Sequence, residues 1–305
     1  MNKIKFLLPL LALFVSVCAM ANIASGTCGK DGNNISWVIS DDGTLTLSGS
    51  GEMKNINNET NVPWYSHREK IKKAIVNEGI TRLRDCAFWG CKALASVTLP
   101  NSLTSIDYQD FYQCSSLTSI VIPNSVKIID TNAFGYCSGL TSIDFPNSVT
   151  TIGSSSFSNC SNLASVTIPS SVTKIDGGAF SGCNKLMDVS CEATDLPKIT
   201  STVFTSITLS SGTLCVPAEA LDKYKSDTNW GKWNNIVSSG PAIIASGTCG
   251  KNGDNVKWCL TEDGILSLNG KGEMADYYNS HAPWYDNRNS IIGLSISEGI
   301  TNISN

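Results

Sequence analysis

Charge is what this sequence has least of. Only 16 % of its 305 residues are charged, and the net charge is −4. No block of five like charges occurs, so neither a nucleic-acid tail nor a polybasic membrane patch is present. Between Cys91 and Gly182 there are eight charged residues: Lys92, Asp107, Asp110, Lys127, Asp130, Asp144, Lys174 and Asp176. A surface this neutral releases few counterions from a phosphate backbone, which excludes nucleic acid as a partner. Histidine is nearly absent too: only His67 and His281 occur, and both read as solvated loop residues. No G-x-S-x-G, P-loop or H-E-x-x-H motif is found. Cys86 and Cys91 are not joined by a second pair at zinc-finger spacing. Asp41-Asp42 stands beside a hairpin Gly43 and reads as turn chemistry, not as a calcium site. Asp107 and Asp110 read as loop residues, not as paired carboxylates. The sequence therefore predicts no catalytic, cofactor or metal site, and no enzyme.

Long apolar runs are also scarce. The one candidate is Phe6 to Val17, preceded by Lys3 and Lys5 and followed by Ala19-Met20-Ala21. This is the pattern of a signal peptide, residues 1–21, with cleavage after Ala21. The run is shorter than the ~20 residues a membrane span needs. A lipoprotein alternative would acylate Cys18, but bulky Val17 precedes it. No transmembrane span is expected after the signal is removed. Of the twelve cysteines, eleven then remain, an odd number that leaves at least one thiol unpaired within the chain.

What is present is a period. Cys91, Cys114, Cys137, Cys160 and Cys183 are 23 residues apart. Phe88, Phe111, Phe134, Phe157 and Phe180 keep the same step, as do Leu94, Leu117, Leu140, Leu163 and Leu186. Pro100, Pro123, Pro146 and Pro169 follow suit, with Ile106, Ile129, Ile152 and Ile175. The unit is C-x-x-L-x-x-[IV]-x-[LIF]-P-x-S-[LV]-x-x-I-x-x-x-x-F-x-x. Such a unit cannot bury its own apolar face, so the repeat predicts stacked coils with a continuous core. A short strand is expected over Leu117 to Ile122, ended by Pro123, and a single helical or 3-10 turn over Ile129 to Cys137. Equivalent cysteines in adjacent coils would stand ~4.8 Å apart with parallel side chains, unsuited to a disulfide. The cysteine column is therefore expected to be reduced and buried.

The motif L-x-x-I-x-I-P-x-S-V-x-x-I-x-x-x-A-F-x-x-C stands nearly intact at 117–137 and 163–183. It resembles the BspA-type leucine-rich repeats of bacterial surface proteins and some protists, over about residues 71 to 205. A parallel β-helix, the other solenoid considered, has shorter and more uniform coils. The resemblance implies a β-rich leucine-rich-repeat solenoid with short helical or 3-10 turns. It also implies adhesion or protein binding at the cell surface. The partner would be an extracellular protein or a glycan, and no cofactor is implied.

Five segments are expected: the signal 1–21, a β-hairpin module 22–67, the solenoid 68–205, a C-terminal cap 206–239, and a truncated second copy of the hairpin module, 240–305. The second copy is read from Ser246-Gly247-Thr248-Cys249-Gly250, Trp258, Asp263-Gly264 and Pro283-Trp284, which repeat the first module. It stops at Asn305, where its own coils would begin, so it is expected to be less stable than the first. Ser238-Ser239-Gly240-Pro241 reads as the linker. Phe88 is expected at an end coil. Trp230 and Trp233 are expected to close the last core layer, with a sugar-stacking pair as the alternative. The strand positions facing away from the core are a ladder of Ser and Thr, poor in the Trp, Tyr and Arg that anchor interfaces. Trp89, Tyr112 and Tyr136 fall in a row at one edge and are the candidate partner contact, with packing against the hairpin module as the alternative. Beside the protein-binding reading stand two others: a glycan-binding module and a ligand-free scaffold.

Overall fold

The computed structural model describes residues 21–56, 58–239, 243–251, 253–277, 282–297 and 299–303. Residues 1–20 of the signal segment, His281 and Gly240-Pro241 lie outside the described residues.

Each coil is built around a core position that the repeat fixes. The ring of every repeat phenylalanine is fully buried and lies face to face with the next. Centroids are 5.1 Å apart from Phe88 to Phe111 and again to Phe134 and Phe157, then 5.5 Å to Phe180 and 5.7 Å to Phe204. Aromatics from outside the repeat seal both ends. Trp64 packs on Phe88 and meets Trp37 edge to face at 5.8 Å. Trp230 and Trp233 close on Phe204, and Tyr224 closes on Trp230. One unbroken spine of rings thus runs from the hairpin module to the cap. Phe88 is no edge: Trp64 covers it, and the Trp64 indole donates to the carbonyl of Ala87 at 2.7 Å.

Two parallel ladders hold the coils in register. One joins Ser105–Ile106, Ile128–Ile129, Thr151–Ile152 and Lys174–Ile175 through the isoleucine column. The other joins Ser142–Asp144, Ser165–Ile168, Asp188–Cys191, Thr213–Pro217 and Asn235–Ser239. Ser238 and Ser239, expected in a linker, therefore close a strand against Val216 and Pro217. At the N-terminal end, Asn22–Gly29, Gly32–Ser40 and Thr44–Gly49 form an antiparallel meander. Lys73–Val76 and Ser96–Thr98 extend it in parallel. The two strand faces do not join. Coil 117–122, expected to hold a strand, makes no ladder there, although Ile120 and Ile122 stay buried and Val121 projects outward.

The turn side of the coils is not helical. Two columns are left-handed: Cys86, Gln109, Asn132, Ser155 and Gly178, then Gly90, Gln113, Tyr136, Asn159 and Gly182, with φ from 54° to 75°. A left-handed residue interrupts a helical path and turns its neighbours' N–H groups outward. Those groups bond the next coil instead. Phe88 N–H donates to Asp110 at 2.7 Å, Phe111 to Ala133 at 2.8 Å, Phe134 to Ser156 at 2.7 Å and Phe157 to Ala179 at 2.8 Å. The remaining bonds are tight turns within the coil. Among the described residues, helical segments occur only outside the coils, as 3-10 turns in the hairpin modules and the cap and one short α-helix, Leu221–Ser226.

The polar letters of the motif have partners of their own. The serine after each proline donates its hydroxyl to the preceding coil. Ser102 reaches Ile80, Ser125 reaches Leu103, Ser148 reaches Val126 and Ser171 reaches Val149, at 2.5–2.8 Å. Cysteine does the same on the other side. The thiols of Cys114, Cys137, Cys160 and Cys183 point at the carbonyls of Phe88, Phe111, Phe134 and Phe157, at 2.9–3.2 Å. A thiol is small and apolar enough for the core, yet still supplies a weak donor. All eleven described cysteines are unpaired.

The second module repeats the first. Gly26 lies opposite Trp37, and Gly247 opposite Trp258. A Cβ at either glycine would fall 2.9 or 2.8 Å from the indole nitrogen, so both copies need glycine opposite the tryptophan. Its outer end differs. Ala74, Val76 and Leu83 are buried in the first copy, whereas Leu294 and Ile303, at the positions of Ala74 and Leu83, are more than half exposed.

Two outcomes follow. Phe134→Ala and Phe88→Ala should each cost ~3–5 kcal/mol in denaturant unfolding, because both rings are sandwiched and fully buried. A markedly smaller loss at Phe88 would place an edge there after all. Burial pushes the thiols of Cys91 and Cys137 up to about 12. At pH 8 the thiolate, which is the reactive form, is then roughly one part in ten thousand. Iodoacetamide should leave the column unmodified in the native protein and label it fully in denaturant. Rapid native labelling of Cys137 would contradict the packing.

Candidate functional site

The edge row starts one residue past the spine. Trp89 and Tyr112 each follow a buried phenylalanine, so their rings emerge where the coil turns. Tyr65, from the 3-10 turn Tyr65–Lys70 of the hairpin module, stacks on Trp89 at 6.1 Å. Trp89 lies nearly parallel to Tyr112 at 6.4 Å, and Tyr112 meets Tyr136 edge to face at 5.4 Å. Arg68 sits 4.1 Å over the Tyr65 ring and donates to the Tyr65 carbonyl. The structure therefore brings the three predicted residues together. Trp89 and Tyr112 are half-buried, and Tyr136 is 46 % exposed. Trp89 takes part both in the row and in the contact with the hairpin module.

Tyr136 is the exception in its column. The other coils place Gly90, Gln113, Asn159 and Gly182 at this left-handed position, and Tyr136 has φ 61°. A bulky side chain there carries strain that Gly or Asn avoids. The shift of one position relative to Tyr112 turns its ring outward. Partial burial raises the Tyr112 hydroxyl above its ordinary range, with small additions from Tyr136 and Tyr108.

Tyr65 and Arg68 were not visible as part of the site in the sequence. Tyr65 stands 24 residues before Trp89, out of register with the repeat, and no spacing rule reaches it. The alternative sugar-stacking pair is removed. Trp230 and Trp233 are buried, and the Trp230 indole donates to the Pro197 carbonyl at 3.0 Å. His67 is half-buried on the 3-10 turn. Among the described residues no group of three His, Cys, Asp or Glu side chains could hold a metal, and no helix is long and apolar enough to cross a membrane.

Asp107 and Asp110 need correction. Both are buried, not solvated in a loop. Asp107 accepts a bidentate pair from Arg82, at 3.1 and 2.8 Å, and a hydroxyl from Ser105 at 2.7 Å. Asp110 accepts the backbone N–H of Asp107 at 2.7 Å and of Ala87 at 3.3 Å. Burial, with Asp107 beside it, pushes the Asp110 carboxyl well up. Every partner belongs to the chain itself, and the pair ties the first two coils together. Arg84 adds an ion pair to Glu52 across the junction with the hairpin module.

Parallel coils stacked on a shared ring column, with laddered turns and distinct end caps, define a leucine-rich-repeat solenoid. The sequence matches the BspA type leucine rich repeat region over residues 63–187 and 105–224, in six copies, and the chain belongs to that family. No curated protein matches it. Among solved structures it is similar to a leucine-rich repeat protein from Eubacterium ventriosum, with 22 % identity, TM-score 0.48, and 70 % of this chain and 68 % of that one covered. It is also similar to the Treponema pallidum leucine rich repeat protein, with 27 % identity, TM-score 0.41 and coverage of 51 % and 78 %. A leucine rich cell surface protein from Faecalibacterium prausnitzii gives 20 % identity, TM-score 0.42 and coverage of 83 % and 65 %.

Tyr136→Asn tests the strained position. Asn accepts a left-handed backbone at little cost, so the loss of the exposed ring should be offset. The unfolding free energy should stay level or rise by up to ~1 kcal/mol. A loss of more than ~1 kcal/mol would make Tyr136 a packing residue.

Proposed function

We propose that this chain is an exported, non-catalytic solenoid that binds a partner protein at the cell surface through the Trp89, Tyr112 and Tyr136 row. The observation that carries this reading is the retention of a partly exposed tyrosine at a strained position, in line with two half-exposed aromatics. The strand face offers mostly Ser and Thr, whereas this edge gathers the residue types that anchor protein interfaces. Arg68 adds a cation at one end of the row. Export rests on the pattern of residues 1–21, and surface adhesion on what the family resemblance implies.

Protein is favoured over glycan by the way the rings lie. A sugar ring packs against an open aromatic face. Both faces of Trp89 are flanked, by Tyr65 on one side and Tyr112 on the other, so the row offers ring edges and hydroxyls. Those groups suit backbone carbonyls and apolar side chains of a protein loop.

The test is a panel of immobilised extracellular proteins and glycans probed with wild type, Trp89→Ala, Tyr112→Ala and Tyr136→Asn. Wild type should bind a protein target. The Tyr112 and Tyr136 variants should lose at least tenfold in affinity with no fall in the unfolding midpoint. Binding that survives all three substitutions would remove the row from the function. Binding to glycans alone would replace the protein reading, and silence across the panel would favour a ligand-free scaffold.

A further inference from the structure

The second module carries a device that the first lacks. Its strand Gly253–Thr261 buries Val256, Trp258 and Leu260, and turns Lys257 and Cys259 to the opposite face. That face stands across a cleft of about 450 Å3 from the outward side of the solenoid strands Ser165–Ile168, Asp188–Cys191, Thr213–Pro217 and Asn235–Ser239. Cys215 lines one wall and Cys259 the other. Of the eleven described cysteines, nine are buried, and these two alone are partly exposed. Burial pushes the Cys215 thiol up to about 11, and the nearby Cys259 adds to that effect. Lys257 reaches the Asp188 carboxylate at 3.8 Å across the same cleft.

Comparison of the two modules separates a contact from an accident. On the cleft side, Ser246, Gly247 and Thr248 keep the residues of the first module, Ser25, Gly26 and Thr27. Lys257, Cys259 and Asn269 replace Ser36, Val38 and Ser48. The second module faces the solenoid strands, and its changes supply a cation opposite Asp188 and a thiol opposite Cys215.

We propose that Cys215 and Cys259 are a thiol pair that forms a disulfide and fastens the second module onto the C-terminal half of the solenoid's strand face. The oxidant is a disulfide, either a small-molecule one or that of an oxidoreductase. One thiolate of the pair attacks it, forming a mixed disulfide and releasing one thiolate of the oxidant. The second thiolate of the pair then displaces the other half. One S–S bond forms between Cys215 and Cys259 and one breaks in the oxidant. Its two sulfurs leave as thiols carrying the two protons that the cysteines gave up. The latch covers strand positions near Asp188 and leaves the Trp89 edge free, so it does not depend on the binding reading above. In the cell it would close only in an oxidising compartment.

The test uses the chain from Asn22 to Asn305, purified reduced and equilibrated with oxidised glutathione. The monomer should lose two titratable thiols in denaturant. A tryptic digest without reductant should join the peptide holding Cys215 to the peptide holding Cys259. Cys259→Val, which restores the residue of the first module and so keeps the fold, should lose no thiols. The latch is overturned if the wild-type thiol count is unchanged. It is equally overturned if Cys259 is found joined to Cys249 or to a second chain.

Discussion

The structure depends on one constraint: an aromatic ring in each coil must lie face to face with the ring of the next. A centroid spacing near 5.1 Å through the central coils fits the separation of adjacent parallel strands, so the rings and the backbone ladders share one repeat distance. A change in coil length between two phenylalanines must be absorbed without unstacking them, as it is between Phe180 and Phe204, 24 residues apart and still face to face at 5.7 Å. The constraint is why the 23-residue period is kept from Phe88 to Phe180. The one extra residue before Phe204 appears only where the cap takes over. It is also why the ends are tryptophans. A terminal ring has an open face, and a larger indole covers it while finding a carbonyl for its N–H, Ala87 at one end and Pro197 at the other.

The remaining motif letters follow from the backbone that this spacing imposes. Turns that cannot be helical leave carbonyls facing the neighbouring coil. The serine after proline and the cysteine before the strand each answer one of them. Because these partners come from within the chain, the solenoid needs little charge to hold its register. Its ion pairs are few: Arg82 meets Asp107 between the first coils, and Arg84 meets Glu52 at the junction with the hairpin module. The low charge of the chain and its self-sufficient backbone are thus two sides of one design.

Much of this was legible in the sequence because it is periodic. The phenylalanine, cysteine, isoleucine and proline columns each name a buried position, and all of them are buried or nearly so. What escaped is what has no period or no fixed chemical type. The left-handed column of Cys86, Gln109, Asn132, Ser155 and Gly178 shares a backbone conformation and no side chain, so the turns read as helical. Trp64 lies outside the repeat, so Phe88 read as an edge. Asp107 and Asp110 read as loop residues because their columns vary, with Asp130, Gly153 and Asp176 in one and Ala133, Ser156 and Ala179 in the other; their buried partners are specific to the first coils. Of the candidate site, the positions of Trp89 and Tyr112 followed from their column. Tyr65 did not, and the outward turn of Tyr136 depends on a φ that composition does not encode.

The account rests on the spine being continuous from the hairpin module through the cap. Hydrogen–deuterium exchange of the turn amides tests this directly, because the N–H groups of Phe88, Phe111, Phe134, Phe157 and Phe180 all donate from one coil to the next. A continuous, capped spine predicts that the five amides share one opening free energy, equal to that of the buried strands Lys73–Val76 and Thr213–Pro217. Protection that falls off stepwise from Phe134 toward Phe88, or a hairpin module that exchanges independently of the coils, would contradict it.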